Sequence, residues 1–491
     1  MILKPFSKIM VSVAFLAGCG CGQALASGPY QTTGIKIGEV TENSAIVWTR
    51  LTHDAQRIGS QAPMPEVRYR DPKTGALRDT PAGGRAGSKP VVTFPRNSTI
   101  ETIEGAVPGA VGGVTVLYRQ AGASDWKEAD FRAVDPKRDF TCQFSLKDLR
   151  PDTKYQLRVE ALGENTKGQV VEGGFRTAPR ADESARVLFT VITGQAYPDR
   201  DSPDGFKIYP VMLKLDPDFF VHTGDILYYD ALAKTEALAR WHWASIYSLP
   251  TNVEFHRHVA SYFIKDDHDT WMNDCWPGMK TNFMGDFTFE QGQAIFLEQV
   301  PMGERTWRTF RWGKDLQIWL VEGRDFRSPN TMADSPDKTI WGAAQKAWFK
   351  KTAQESDATF RVLISPTPIV GPDRENKHDN LANDGFQHEG NEMRSFIATQ
   401  KNMYVVCGDR HWQYISVDEK TGVKEYSCGP ASDEHAGGWK NDMRMPEHKY
   451  LNVIGGFLAV IIDRPEGKPT LTFRHYGVDG NILNEDRLGV Q

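Results

Sequence analysis

A short apolar run and the motif that follows it decide the fold class: Phe219-Phe220-Val221-His222-Thr223-Gly224-Asp225. The apolar residues predict a buried strand, and the glycine permits a sharp turn that aims the acid away from the strand end. Similar runs that end in polar motifs occupy residues 187–192, 262–264, 316–321, 360–364 and 403–407. Helical periodicity lies between them, over residues 231–247, 341–356 and 389–400. This alternation predicts an α/β layer structure whose strand-end loops converge on one site.

The predicted strand-end loops carry most of the acids and histidines of the chain. Convergence would bring Asp225, Asp267 and Asp409 into one pocket together with His268 and His411. Carboxylates packed so closely raise each other's pKa unless a cation neutralises them. Hard multivalent cations bind such oxygen and imidazole ligands. Each Gly-Asp dipeptide alone is equally typical of a plain turn, but the ordered set predicts a metal centre.

Residues from about 30 to 180 have a different pattern, which is typical of an all-β domain. Apolar and polar residues alternate over residues 34–39, 44–50, 114–119, 140–146 and 155–161. The segment 149–155, which ends in Tyr155, resembles the tyrosine corner of fibronectin type III domains. We therefore predict an immunoglobulin/fibronectin-III-like sandwich with a weak insertion at residues 52–105. A structural or docking module is the favoured role, and carbohydrate binding is the alternative.

Composition excludes several classes of function. The 491 residues include 58 Lys and Arg against 63 Asp and Glu, a net charge of −5. The chain therefore lacks the basic character expected of a protein that binds nucleic acid or an anionic membrane. Of its 12 histidines, only His53 precedes His222. Chemistry that needs imidazole is therefore expected in the later part of the chain.

The N-terminus is typical of an export signal over residues 1–26. Lys4 and Lys8 precede an apolar stretch at residues 9–18, which is too short to span a bilayer. Cleavage would follow Ala26 in an A-x-A site or precede Cys19 in a lipobox-like site. The sequence thus predicts a periplasmic or outer-surface protein with a lipid anchor at Cys19 as one alternative. The rest of the chain contains no run of 18 apolar residues, so no transmembrane helix is expected.

The motifs at the strand ends, taken in order, resemble the calcineurin-like metallophosphoesterases and, more narrowly, the alkaline phosphatase D (PhoD-like) family. The matching segments are residues 222–228, 266–269 with Asn273, 322–327, 342–348 and 408–411. The similarity runs from about Gly34 to near the C-terminus, because that family also carries an immunoglobulin-like N-terminal domain. It implies an N-terminal domain at residues 30–180 and a four-layer αββα catalytic domain at residues 185–491.

The resemblance also implies roles for individual residues. The expected metal ligands are Asp225 as a bridging ligand, Tyr228 as a phenolate, Asp267 in place of the usual Asn, Asp409 and His411. His268 matches the catalytic histidine that lies beside the phosphate without binding metal. An alternative stays open for each of two residues. For Tyr228, it is an ordinary core position, with the adjacent Tyr229 in its register. For His268, it is a structural ion pair with Asp267 and Asp269.

One departure from the family bears on the cofactor. The family implies two or more metal ions, among them Ca²⁺ and Fe³⁺, and a Cys in a Ser-Cys-Gln motif binds the iron. This chain has Gly194 at that Cys position, within Thr193-Gly194-Gln195, so iron is in doubt and Ca²⁺ or Mn²⁺ is favoured. Replacement ligands would come from Gln195, Asp199 or Asp201.

The expected function is hydrolysis of small phosphate esters by a metal-activated water. His268 would protonate the leaving oxygen or hold a phosphoryl oxygen. Arg324 and Arg410 would bind phosphate, or else serve as structural ion-pair residues. The alternatives are a phosphodiesterase, a phospholipase-D-like hydrolase or a sulfatase on the same scaffold, and an inactive binding protein derived from a phosphatase.

Overall fold

The computed structural model of the protein describes residues 28–82 and 87–490. The predicted signal segment at residues 1–26, with Cys19, lies outside these residues. Within the described part of the chain, no helix combines the length and hydropathy that a membrane span requires. The strands and helices below are numbered along the chain.

The first part of the chain is built of strands. They are β1 (Ile35–Gly38), β2 (Ala45–Arg50), β3 (Glu66–Arg70), β4 (Leu77–Arg78), β5 (Lys89–Thr93), β6 (Gly113–Gln120), β7 (Lys127–Ala133), β8 (Thr141–Leu146), β9 (Lys154–Leu162) and β10 (Lys167–Arg176). Two antiparallel sheets, ordered β1-β2-β8 and β10-β9-β6-β7, contribute to one hydrophobic core. The strands expected from alternation are all present, each within two residues of its expected bounds.

The tyrosine-corner segment has the expected hydrogen bond. The Tyr155 hydroxyl accepts a hydrogen bond from the backbone N–H of Arg150, at 2.8 Å. This contact closes the turn before β9, as in sandwich domains with such a corner. The immunoglobulin/fibronectin-III class of the two sheets remains a prediction.

The segment predicted as a weak insertion contains a small sheet of its own. Strands β3, β4 and β5 pair in the order β4-β3-β5. The ring of Tyr69 on β3 stacks on Phe283 of the second part, with ring centroids 5.3 Å apart. The insertion therefore packs against the later part of the chain.

The second part holds two mixed sheets and the α-helices. Its strands are β11 (Val187–Ile192), β12 (Phe219–His222), β13 (Ala260–Phe263), β14 (Arg308–Trp312), β15 (Leu316–Leu320), β16 (Phe360–Ser365), β17 (Met403–Cys407), β18 (Gln413–Val417), β19 (Lys424–Cys428), β20 (His448–Asn452), β21 (Gly456–Asp463), β22 (Thr470–Gly477) and β23 (Ile482–Gly489). The helices are α1 (Ile208–Lys214), α2 (Tyr229–Leu232), α3 (Glu236–Tyr247), α4 (Pro250–His256), α5 (Phe289–Gln299), α6 (Gly342–Glu355) and α7 (Gln387–Ala398). The sheet orders are β13-β12-β11-β21-β22-β23 and β14-β15-β16-β17-β19-β18-β20.

Alternation along the strands arranges these elements in four layers. On β12, Phe219 and Val221 pack in the core that the two sheets share, whereas Phe220 packs with residues of α1, α3, α4 and α5. On β15, Ile318 faces the shared core and Trp319 packs with α6 and α7. Because successive side chains point to opposite faces, each sheet has one face on the other sheet and one on helices. This is the αββα order that the resemblance implies.

One predicted helix is wrong in its extent. The periodic segment at residues 231–247 forms two helices, α2 and α3, rather than one. Thr235 interrupts it, because its side chain accepts a hydrogen bond from the Leu238 N–H and caps a new helix. The strands after β17 were also not anticipated. In the described residues, Cys142, Cys275, Cys407 and Cys428 are free thiols.

Candidate metal centre

The predicted site residues converge where parallel strands end. Asp225 follows β12, the acidic run 266–269 follows β13, and residues 409–411 follow β17. Two groups have possible ligand atoms within 4.8 Å of one another: Asp225, Asp267 and His268, and Asp225, Asp266 and Asp409. Tyr228 and His411 contact the same cluster, as described below. The structure therefore brings together all the residues that were expected to bind metal, and adds Asp266.

The backbone before Asp225 requires the glycine that the motif contains. Gly224 has φ +107°, and a Cβ on it would lie 2.6 Å from the Cβ of Asp266. Asp225 itself has φ +53°, which a non-glycine residue seldom adopts. The Gln195 N–H, which donates to the Asp225 carbonyl at 2.8 Å, helps to hold this conformation. Strained backbone of this kind is concentrated at functional sites.

The Asp225 carboxylate is buried with unused hydrogen-bonding capacity. Its Oδ2 lies 3.3 Å from the Nε2 of His411. Its Oδ1 accepts no hydrogen bond from the described residues. Burial raises the pKa of Asp225 to about 7. A buried carboxylate oxygen without a partner is costly, and a bound cation would remove that cost.

Asp269 ties the loop after β13 to the loop after β12. Its carboxylate accepts hydrogen bonds from the Asp266 N–H at 2.6 Å and from the Ile226 N–H at 3.1 Å. Asp266 is fully buried, and its Oδ1 accepts from the Arg324 Nε at 2.6 Å. Its Oδ2 has no hydrogen-bond partner within the described chain. Asp269 therefore shapes the site, and Asp266 contributes a second unsatisfied carboxylate oxygen.

Asp267 is the best-stabilised anion of the run. It accepts hydrogen bonds from the backbone N–H of His268 at 2.9 Å and of Asp274 at 2.7 Å. Burial acts to raise the pKa of Asp267, but the Arg324 guanidinium and the neighbouring groups outweigh burial and hold that pKa well below its usual range. The carboxylate is thus ionised and suited to bind a cation.

His268 is held by a carboxylate that the sequence did not single out. Its Nδ1 lies 2.9 Å from Asp230 Oδ1, and its ring centroid lies 4.4 Å from that of Tyr228. Burial acts to lower the pKa of His268, but the carboxylates of Asp230 and Asp267 outweigh it and raise that pKa well above its usual value. The ring partner is Asp230 rather than the flanking Asp267 or Asp269. This contact leaves Nε2 for another group.

Asp409 links the last motif to the first. Its φ is +62°, and its N–H donates to the Thr193 Oγ1 at 3.1 Å. Its Oδ2 lies 2.6 Å from a terminal nitrogen of Arg410. Burial raises the pKa of Asp409 to about 7. The loops after β11 and β17 are therefore in direct contact at the site.

Arg324 and Arg410 are both fully buried and both paired with acids. Arg324 contacts Asp266 at 2.6 Å, and Arg410 contacts Asp373 at 2.7 Å. Both guanidinium groups are enclosed and ion-paired, although Nε, Nη1 and Nη2 of Arg410 and Nη2 of Arg324 form no hydrogen bond with the described residues. The structure therefore favours the ion-pair alternative for both residues over contact with substrate.

Two imidazoles approach the hydroxyl of Tyr228. The His411 Nε2 lies 3.1 Å from it, and the His435 Nε2 lies 2.5 Å from it. Burial lowers the pKa of His411 to about 3 and that of His435 to about 4. Tyr229, by contrast, lies in the core and accepts a hydrogen bond from Trp243. The register that points Tyr228 into the site is therefore the observed one.

The side chains of the three candidates for a replacement ligand have other partners. Gln195 is buried, and its side-chain oxygen accepts from the Tyr209 hydroxyl at 2.5 Å. Asp201 accepts a hydrogen bond from the backbone of Lys207. Asp199 lies 2.7 Å from the Nδ1 of His435. Of these three side chains, that of Asp199 alone contacts an imidazole of the site, that of His435.

Sequence reasoning missed three residues of the site. Asp266 adjoins a predicted ligand and could have been found from that adjacency. Asp230 lies two positions after Tyr228, immediately before the segment predicted as helix, residues 231–247. His435 stands in a glycine-rich loop between β19 and β20, far from any strand-end motif. No local pattern marks His435, because tertiary packing alone brings it to the site.

The donor set fits metal ions. Carboxylate oxygens dominate one side of the cluster, and imidazole nitrogens with a phenol oxygen dominate the other. Oδ1 of Asp225 and Oδ2 of Asp266 are buried and accept no hydrogen bond from the described residues, and both residues belong to this cluster. Such a set matches the ligands that di- and trivalent cations take in proteins.

The fold is that of known phosphatases. It is similar to a solved structure of PhoD, with a TM-score of 0.68 at 15% sequence identity, over 95% of this chain and 90% of that one. It is also similar to a purple acid phosphatase from yellow lupin (Lupinus luteus) seeds, with a TM-score of 0.54 at 14% identity, over 93% of this chain and 74% of that one. No curated protein matches the chain by sequence.

The sequence comparison agrees with the fold and defines the class of phosphoric ester hydrolases. The sequence model described as PhoD-like phosphatase matches residues 189–452, which is more than half of the chain. The chain belongs to the PhoD-like phosphatase family. The resemblance found in the strand-end motifs is thereby confirmed.

Proposed function

We propose that the protein is an exported, metal-dependent phosphatase that hydrolyses small phosphate esters. One observation carries the proposal: Asp225, Asp267 and Asp409 meet beside His268 at the carboxyl ends of parallel strands. Asp225, Tyr228, Asp266, Asp267, Asp409 and His411 would hold two or more ions. Bound ions would neutralise charge on a phosphoryl group and lower the pKa of water.

His268 is the group proposed to handle the proton. The Asp230 carboxylate fixes the ring through Nδ1. The free Nε2 would then protonate the leaving oxygen or donate a hydrogen bond to a phosphoryl oxygen. The side chain is 16% exposed, so substrate in solution can reach it. A binding protein without activity would have no need of this held imidazole.

Two substitutions test the assignment. Asp225→Asn removes a ligand charge and His268→Ala removes the proton donor, so each should lower kcat by about a hundredfold or more. Rates would be measured on p-nitrophenyl phosphate and on its diester, with metal content measured in parallel. Asp130→Asn, at an exposed position of β7, is the matched control and should retain the wild-type rate.

The two substrates also separate the alternatives. A higher kcat/KM for the monoester supports a phosphatase, and a higher value for the diester supports a phosphodiesterase on the same scaffold. Wild-type rates in both Asp225→Asn and His268→Ala would contradict the proposed site. A metal-containing wild-type protein that cleaves neither ester would contradict the function.

Export is proposed from residues 1–26 alone. Intact mass and N-terminal sequencing of protein from a bacterial host would give the mature end. A lipid-modified Cys19 indicates an anchored protein, and an N-terminal Ser27 indicates release after the A-x-A site. An unprocessed Met1 in the cytoplasmic fraction would contradict export.

A further inference from the structure

Gly194, which stands at the position of the family's cysteine, is closely approached by two histidine side chains. A Cβ on Gly194 would lie 2.9 Å from the Cδ2 and Nε2 of His411 and 3.1 Å from the Cδ2 of His435. Gly194 also has φ +45°, which disfavours a side chain for a second reason. The absence of a side chain at residue 194 thus leaves the space that the two imidazoles occupy.

The loop that carries His435 is fixed to both flanking motifs. The Ala431 N–H donates to the Gly194 carbonyl at 2.9 Å, and the Gly437 N–H donates to the His411 carbonyl at 3.0 Å. These hydrogen bonds lie on either side of His435 in the sequence. The imidazole is therefore held between the loop after β11 and the loop after β17, and does not depend on a chance side-chain contact.

The hydrogen bonds of His435 set its ring for a cation. Asp199 Oδ2 lies 2.7 Å from its Nδ1, and a carboxylate there can only accept, so Nδ1 carries the proton. The lone pair is then on Nε2, which faces the Tyr228 hydroxyl. A carboxylate that orients an imidazole in this way is the usual outer partner of a metal-binding histidine.

The donor atoms also have suitable spacing. Two ligands that each lie about 2.1 Å from one ion are roughly 3 Å apart when they are at right angles. The successive separations here are 2.5 Å from His435 Nε2 to the Tyr228 oxygen, 3.1 Å from that oxygen to His411 Nε2, and 3.3 Å from His411 Nε2 to Asp225 Oδ2. Asp225 Oδ1 is buried and accepts no hydrogen bond from the described residues.

We propose that His435 replaces the missing thiolate as a metal ligand, together with His411, Tyr228 and Asp225. The proposal rests on the metal-dependent function proposed above and adds a residue and a metal class to it. Two imidazoles and a phenolate suit a first-row transition ion such as iron or zinc. The cluster of Asp225, Asp266 and Asp409 is all-carboxylate and suits a hard cation such as Ca²⁺. The two halves of the centre thus bind metals of different class.

Metal analysis of the full-length holoprotein tests this assignment. Inductively coupled plasma mass spectrometry would give the transition-metal and calcium content of wild-type protein and of His435→Ala. We expect His435→Ala to retain at most about a tenth of the transition metal, since a lost ligand weakens binding strongly, and to keep its calcium. His388→Ala, which removes an exposed histidine on α7, should keep both metals.

Two further variants keep the test valid if His435→Ala does not fold. Asp199→Asn removes the outer partner and should release transition metal to a chelator about 10- to 100-fold more readily. Gly194→Ala places a methyl group against both imidazoles and should lower the transition-metal content in the same direction.

The inference and the proposed function can fail separately. Wild-type transition-metal content in His435→Ala or unchanged metal release in Asp199→Asn would overturn the role of His435. A wild-type holoprotein that hydrolyses phosphate esters without any transition metal would also overturn it. Loss of the metal in His435→Ala with no hydrolysis by any form would support the ligand and contradict the phosphatase.

Discussion

The N-terminal sheets and the strand-end loops both bury charged groups, but the two regions differ in whether those groups have hydrogen-bond partners. Arg50 on β2 forms two hydrogen bonds with the Asp139 carboxylate, at 2.8 and 2.7 Å, and Gln299 donates to the same carboxylate at 2.8 Å. At the strand ends, oxygens of Asp225 and Asp266 are equally buried and accept no hydrogen bond from the described residues. The Arg50–Asp139 pair has its hydrogen bonds satisfied within the protein, whereas the strand-end carboxylates leave capacity that a bound cation would use.

The balance of charge supports the same distinction. Three buried carboxylates, those of Asp225, Asp266 and Asp267, meet the half-buried carboxylate of Asp409 at the strand ends. The guanidinium groups paired with them are those of Arg324 and Arg410. The excess of negative charge is costly in a low-dielectric interior unless cations are bound. The two regions therefore should respond differently to substitution, to acid and to removal of metal.

Breaking the Arg50–Asp139 pair should have the largest effect on stability. Arg50→Leu leaves the buried Asp139 carboxylate without its main partner, which should lower the free energy of unfolding by about 3–5 kcal/mol. Since the pair lies outside the metal centre, kcat on p-nitrophenyl phosphate should not change. Urea unfolding and initial rates would measure both quantities.

The double variant Arg50→Leu/Asp139→Asn is the control for this prediction. Removing both charges should restore much of the lost stability, because no unpaired charge is left. A single variant as stable as the wild type would show that the pair contributes little and would weaken the comparison of the two regions.

Acid should destabilise the fold through buried histidines outside the site. Burial lowers the pKa of His475 on β22 to about 4. The unfolded chain has a pKa of about 6.5 for this group and takes up a proton that the folded chain does not. The free energy of unfolding should therefore fall as pH decreases from about 6.5 to 4, by about 3 kcal/mol at pH 4 from this group alone.

His475→Gln tests the sign and the size of that effect. The variant should lose less stability than the wild type between pH 6.5 and 4, as measured by urea unfolding at each pH. His388→Gln serves as the control for loss of a histidine at an exposed position. An identical pH dependence in His475→Gln and in the wild type would contradict the prediction.

Of the substitutions Arg50→Leu, His475→Gln and Asp230→Asn, the last should have the smallest effect. It acts through His268. The substitution replaces the carboxylate that holds the imidazole, so kcat should fall about 10- to 100-fold through misplacement of the ring. KM and the melting temperature should stay close to their wild-type values. A wild-type kcat, or a fall explained entirely by a lower melting temperature, would remove Asp230 as a positioning residue.

Much of the fold could be predicted because its signals are local. The run at residues 187–192 and the run at 403–407 coincide with β11 and β17, since a buried strand must be apolar throughout. The break between α2 and α3 was missed, because a capping threonine can also occur inside a periodic segment. Strands β18 to β23 were missed, although β18 pairs with the nearby β19 and β21 with the nearby β22, because no Gly-Asp motif follows any of them.

The residues of the site also divide into those with a local sequence signal and those that are placed by distant contacts. Asp225 and Asp409 could be predicted from glycine-containing turns after apolar runs, a signal confined to a few residues. His435 could not, because its place depends on the backbone hydrogen bonds of a long loop to Gly194 and His411. The burial of Arg324 and Arg410 could not be predicted either. An arginine next to an acid in the sequence occurs both at exposed positions and in buried ion pairs.

The most direct test of the central claim is a chelator titration in which metal content and phosphate-ester hydrolysis are measured on the same samples. We expect the rate on p-nitrophenyl phosphate to fall in proportion to the metal removed and to return when metal is restored. The stripped protein should also have a lower melting temperature, because bound ions stabilise only the folded state. Full activity in protein free of metal would contradict a metal-dependent phosphatase.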